Sequence, residues 1–145
     1  MLNYEWLLTR HEHSFRTYAR KPELQVERWL DMANDDDLYF SVISLGEILK
    51  GITILPSGKR REGLQDWLDG TLRPWFGDHI LPVTAPIAER WGILSGEQGA
   101  QGKQVKVADG LIVATALHHN LAVVTRNGRD FDGLGVTVFN PWGAW

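Results

Sequence analysis

The chain contains no cysteine. That removes disulfides, thiolate nucleophiles and cysteine-ligated zinc from its chemistry. It has no apolar run long enough to span a bilayer, and its first residues lack the long apolar stretch of a secretory signal, so the sequence reads as cytoplasmic, with no membrane partner. It also lacks a cationic excess. Fifteen Lys and Arg against 18 Asp and Glu give a formal net charge of −3, which excludes a generic nucleic-acid coater; any such contact must come from a local basic patch. Internal repeats and low-complexity linkers are missing as well. What remains is 145 residues, 43% hydrophobic and 23% charged, enough for one domain with a real core and too few for two. Seven tryptophans, at positions 6, 29, 67, 75, 91, 142 and 145, are assigned mainly to packing. Trp142 and Trp145 are placed over a sheet edge or a partner surface.

Hydrophobic spacing alternates between two periods along the chain. Pro22 opens a helical stretch with Val26, Trp29, Leu30 and Ala33 on one face. Residues 38–43 form a short apolar run of strand type. Ser44 is expected to start a helix carrying Leu45, Ile48, Leu49 and Ile52, and Pro56-Ser57-Gly58 ends it. A further helix carries Leu64, Trp67, Leu68 and Leu72. Residues 79–83 read as a strand, Thr84 caps a helix with Ile87, Trp91 and Leu94, and residues 96–102 read as a loop. Residues 108–119 form another helix. Residues 121–125 are the clearest buried strand, and residues 136–139 the last. Strands separated by helices imply crossover units: an α/β fold of three layers, a parallel sheet with helices on both faces. Ligands in such sheets gather at the carboxyl ends of the strands.

That rule selects three acids. Glu47 follows Ser44 by three, a spacing that equally makes a helix capping box. Asp109 stands where an acid stabilises a helix N-terminus. Asp130, like Asp132, suits a solvated turn. Each has a plain structural reading alone. Together they place like charges at one end of a sheet, and a divalent cation with hard oxygen ligands resolves the repulsion. Such a site polarises a phosphate and activates a water. Basic residues occur at Lys50, Lys59-Arg60-Arg61, Arg73, Lys103, Lys106, Arg126 and Arg129. Arg126 and Arg129 flank the acids and are the best candidates for substrate phosphate contacts; Lys59 to Arg61 suit a solvated turn.

Three segments carry a family resemblance. They are Ser41-Val42-Ile43-Ser44-Leu45-Gly46-Glu47-Ile48, then Asp109-Gly110-Leu111-Ile112-Val113-Ala114-Thr115-Ala116, then Val124-Thr125-Arg126-Asn127 with Asp130-Phe131. In order and spacing they resemble the PIN-domain ribonucleases, most nearly the VapC-type toxins of toxin–antitoxin pairs, over residues 20–142. The ending Phe139-Asn140-Pro141-Trp142 is similar to the family as well. The resemblance implies Mg2+- or Mn2+-dependent hydrolysis of RNA phosphodiester bonds. It carries over Glu47, Asp109 and Asp130 as catalytic and metal-binding acids, with Thr125 and Asn127 as supporting neighbours. It further implies a small cognate antitoxin protein and a homodimer.

One departure stands out. The family opens with a strand ending in Asp-Thr-Asn, followed by Ser-Glu-Leu, and that Asp is a principal metal residue. Here residues 1–19 form an atypical N-terminal segment ahead of a PIN-like domain at residues 20–145. Arg10-His11-Glu12-His13 stands where the carboxylate is expected. Glu12 is the only nearby acid. The His11 and His13 pair would share a face if extended, but brings no further ligands. His118-His119 at a helix end complements the helix dipole. The segment reads as a shifted frame: codons CGN CAY GAR CAY, taken one base later, permit GAC ACG AAC, which is Asp-Thr-Asn. Residues 15–18 likewise permit Ser-Glu-Leu, and upstream codons permit a start and an apolar strand. Residues 1–19 are accordingly expected to be the least protected part of the fold. The rival reading is true divergence to a catalytically impaired PIN-like module that binds an antitoxin or an intact paralogue.

Overall fold

The computed structural model of the chain describes residues 7–9, 38–125 and 128–140. Five short strands form one sheet: β1 (Leu7–Thr9), β2 (Leu38–Ser41), β3 (Ile80–Leu81), β4 (Ala122–Val124) and β5 (Val138–Phe139), in the order β3-β2-β1-β4-β5. Alternation along the strands divides the core between the two faces. Phe40 and Val124 point to one face, where they pack with Ile52, Leu68, Leu72 and Phe76. Leu8 and Val123 point to the other, against Ile112, Val113 and Ala116. Helices cover both faces, as the α/β reading expects.

The first face is covered by α1 (Val42–Ile54) and by a longer helical run. That run begins as α2 (Lys59–Trp67), widens to a π-helical turn over Leu68–Leu72 and closes as α3 (Arg73–Phe76). The wide turn keeps Leu68 and Leu72 both buried. On the second face lie α4 (Ala85–Ala100) and α5 (Val107–His119), packed on each other. Asn120, at φ 58°, supplies the left-handed residue that ends α5 and turns the chain into β4.

Two expectations are corrected. The helix assigned to begin at Ser44 begins at Val42, because Ser41 is its N-cap: the Ile43 amide donates to Ser41 Oγ at 3.1 Å. Ser44 is thus buried inside the first turn, and Ser44 with Glu47 is not a capping box. The loop assigned to residues 96–102 is helical as far as Ala100. Glycines at 96 and 99 weaken a helix, but Gln98 is only 7% exposed and its amide donates to the Gly133 carbonyl at 3.3 Å, fixing the last turns to the body of the domain.

The sheet also departs from an all-parallel arrangement. β2 with β3 and β4 with β5 are parallel pairs. The central strand β1 runs antiparallel to both neighbours, with Leu7 opposite Phe40 and Val124, and Thr9 opposite Leu38 and Ala122. It falls inside the segment expected to be least protected, yet Leu8 is fully buried. The helix expected from Pro22, the His11 and His13 pair, Glu12, and Trp142 and Trp145 lie outside the described residues. Truncating Leu8 tests whether β1 is integral. Leu8→Ala is expected to cost about 2–5 kcal/mol, the range for a buried leucine, in urea unfolding followed by circular dichroism; a change near zero would show that the sheet is stable without this strand.

Candidate active site

The acids expected to act together come from three separate elements. Glu47 lies on α1, half-buried, with the N-terminus of its helix fixed by the Ser41 cap. Asp109 lies in the first turn of α5, also half-buried. Asp130 lies in a 3-10 turn (Gly128–Phe131) that follows β4, and is exposed. Both β2 and β4 end beside these acids. Ser41 leads directly into α1, and Val124 leads through buried Thr125 toward the 3-10 turn.

Asp109 feels the charges of the other two acids. The Asp109 carboxyl is held above the usual carboxylate range, first by burial, then by the negative charge of Asp130, with Glu47 adding in the same sense. Lys106, at the N-cap of α5, opposes this and favours the charged form. Sequence reasoning counted Lys106 among the basic residues without a role; its place three residues before Asp109, at the start of the same helix, was the available signal. Arg129 is exposed, next to Asp130 in the 3-10 turn. Arg126 and Asn127 lie outside the described residues.

The donor chemistry fits a divalent cation: hard carboxylate oxygens, mutually repelling and partly desolvated. The donor number is low, since among the described residues no three acids or histidines stand close enough to hold a metal ion together. Mg2+ tolerates this, because it is commonly held by one or two carboxylates and keeps several waters. Among the described residues, β1 (Leu7–Thr9) supplies no further acid. Its carboxyl end, Thr9, meets the first residues of β2 and β4, at the opposite end of the sheet from the three acids.

Comparison with known proteins shows the family of the chain. The PIN domain profile matches residues 16–136. The chain belongs to the PIN-domain family. Within it the chain is a VapC-type toxin homologue: it is 36% identical over 122 residues to toxin FitB of Neisseria gonorrhoeae, covering 84% of this chain and 88% of that one. It is 33% identical over 125 residues to VapC ribonuclease Y4jK of Sinorhizobium fredii, covering 86% and 89%. The crystal structure of FitAcB from Neisseria gonorrhoeae superposes with a TM-score of 0.78 at 35% identity, over 87% of this chain and 91% of that one. A structure of FitAB bound to an IR36 DNA fragment gives 0.79 at 33% identity, over 88% and 89%. No described helix of this PIN domain is long and apolar enough to cross a membrane.

The raised Asp109 carboxyl has a pH consequence. An acid whose folded-state pKa lies above its unfolded value lowers stability wherever the folded form is ionised. Asp109→Asn is therefore expected to raise the unfolding midpoint at pH 7 in metal-free buffer. The gain should shrink as the pH falls and vanish below the ordinary value near 3.8, where the carboxyl is protonated in both states. Thermal melts at a series of pH values check it; a loss of stability at pH 7 would contradict the coupling.

Proposed function

We propose that the chain is a divalent-metal-dependent endoribonuclease toxin of a toxin–antitoxin pair, hydrolysing RNA phosphodiester bonds in the cytoplasm. The observation that carries this reading is the coupling of Asp109 to Asp130 and Glu47 at one end of the sheet. Asp109 and Asp130 would hold Mg2+ or Mn2+, with Glu47 beside them. A cation bound there supplies charge neutralisation at the phosphate and a water of lowered pKa. The chain's own groups prepare that setting. Partial burial strengthens the acids' field by excluding water. Lys106 favours the ionised form of Asp109 and opposes burial and two neighbouring negative charges. Arg129, exposed beside Asp130, meets a backbone phosphate and fixes the register of the strand. Thr125 and Asn127 serve as orienting neighbours of the acids, and Arg126 as a second phosphate contact. The relatives named FitAcB and FitAB, solved as complexes, support a small antitoxin as the partner, and the toxin is assigned as a homodimer.

A second reading is favoured by one feature. Among the described residues β1 (Leu7–Thr9) carries no acid, and its carboxyl end lies away from the site, which suits an impaired module that binds antitoxin or an intact paralogue. The shifted frame accounts for both: the intact toxin is the chain in which Asp-Thr-Asn replaces Arg10 to His13. Two results decide between the readings. RNA cleavage should require Mn2+ or Mg2+, stop with chelator, and fall at least about a hundredfold in Asp109→Asn, as expected when a group stabilising transition-state charge is lost. Restoring the Asp-Thr-Asn frame should raise cleavage above that of the chain as it stands. Equal cleavage by wild type and Asp109→Asn, purified identically, would remove the catalytic assignment. A gene whose codons for residues 10–13 cannot spell Asp-Thr-Asn would remove the shifted frame.

A further inference from the structure

The glycine that follows Asp109 is the tightest spot in the helical layer. A Cβ at Gly110 would stand 2.9 Å from Cδ1 and 3.0 Å from Nε1 of Trp91, and 3.5 Å from Cγ1 of Val105. The first distance is shorter than real Cβ atoms show and the second is unusually tight, so the indole edge of α4 occupies the space that a side chain on α5 would need. Gly110 is buried, and its backbone is in ordinary helix, so no special φ demands a glycine there. Close approach is the remaining reason for one.

The contact is made at an expense in hydrogen bonding. Trp91 Nε1 is buried without a partner among the described residues, and so is Ser95 Oγ one turn further along α4. A buried tryptophan N–H ordinarily finds an acceptor. Here the ring is seated by shape, with its donor edge against a backbone. The first turn of α5 also lacks a side-chain cap, since Lys106 makes no capping hydrogen bond. The Gly110 amide donates to the Lys106 carbonyl at 2.9 Å. The turn bearing Asp109 is thus located by that backbone bond and by the indole resting on the next residue.

We propose that Trp91 is the positioning residue for Asp109: its indole, seated on Gly110, sets the height of the first turn of α5 and so the placement of the Asp109 carboxylate relative to Glu47 and Asp130. This rests on the reading of those acids as a cation site. Trp91 touches neither metal nor substrate and acts through the backbone at 110.

The test uses the full chain and Mn2+ alone, with binding followed by electron paramagnetic resonance. Gly110→Ala should weaken Mn2+ binding about tenfold or more, the scale of losses when a supporting residue around a metal site is disturbed. Trp91→Leu, which removes the seat, should weaken Mn2+ binding by a similar factor, and Trp91→Phe, which keeps a flat ring against Gly110, should regain most of that affinity, all read well below each variant's unfolding temperature. Wild-type affinity in Gly110→Ala or in Trp91→Leu, or a Trp91→Phe variant that binds no better than Trp91→Leu, overturns the proposal. Should the wild type bind no Mn2+, the cation-site reading fails by itself, and hydrogen exchange decides the positioning role. In Trp91→Leu the Gly110 amide should then exchange at least about tenfold faster through local opening; an unchanged rate overturns it.

Discussion

The proposed chemistry depends on one constraint, the repulsion of Asp109 by Asp130 and Glu47. Three elements that meet nowhere else in sequence each bring one negative charge to the same end of the sheet, and burial makes the interaction stronger at Asp109 than solvent would allow. Such a cluster lowers stability in the absence of a counter-charge, so the rest of the fold has to hold it in place. The Ser41 cap fixes the start of α1, the packing of α4 on α5 fixes the turn carrying Asp109, and the close of β4 carries the chain to Asp130. Lys106 supplies the positive charge that opposes the repulsion at Asp109.

The centre of the sheet tells a second story. Strand order places β1 between β2 and β4, where it is hydrogen-bonded on both sides and where Leu8 joins the core beneath α5. Any apolar tripeptide with strand propensity satisfies that position, and Leu7-Leu8-Thr9 does so in the reverse direction. Burial specifies the face and leaves the polarity of the strand open. The direction matters for chemistry: a strand of this course leaves the sheet at the end remote from the acids. Fold and catalytic completeness are therefore separable here. The scaffold keeps its similarity to FitB, with a TM-score of 0.78 to FitAcB, while the central strand contributes packing and no carboxylate.

Much of this was legible in the residues. Alternating apolar runs located β2 and β4, and helical spacing located α1, α4 and α5, because each buries one face against a sheet. The three acids stood out only as a set, since each alone passes for a cap or a turn residue. The start of α1 was misplaced by two residues because two serines compete for the cap, and only the backbone shows that Ser41 takes it. The end of α4 was misplaced because Gly96 and Gly99 signal a break, while the tertiary bond from Gln98 to Gly133 overrides them. The direction of β1 was invisible, because strand polarity leaves no mark on a three-residue apolar run. The clash between Trp91 and any side chain at 110 was equally hidden, as it joins residues nineteen apart on different helices.

The claim on which everything turns is that these carboxylates form one cation site, and anomalous diffraction from crystals soaked in Mn2+ addresses it directly. The expected map has its manganese density against Asp109 and Asp130, with Glu47 beside it. Manganese found only elsewhere, such as at His118 and His119, or absent at saturating concentration with the three acids ordered, would show that they share a surface without sharing an ion.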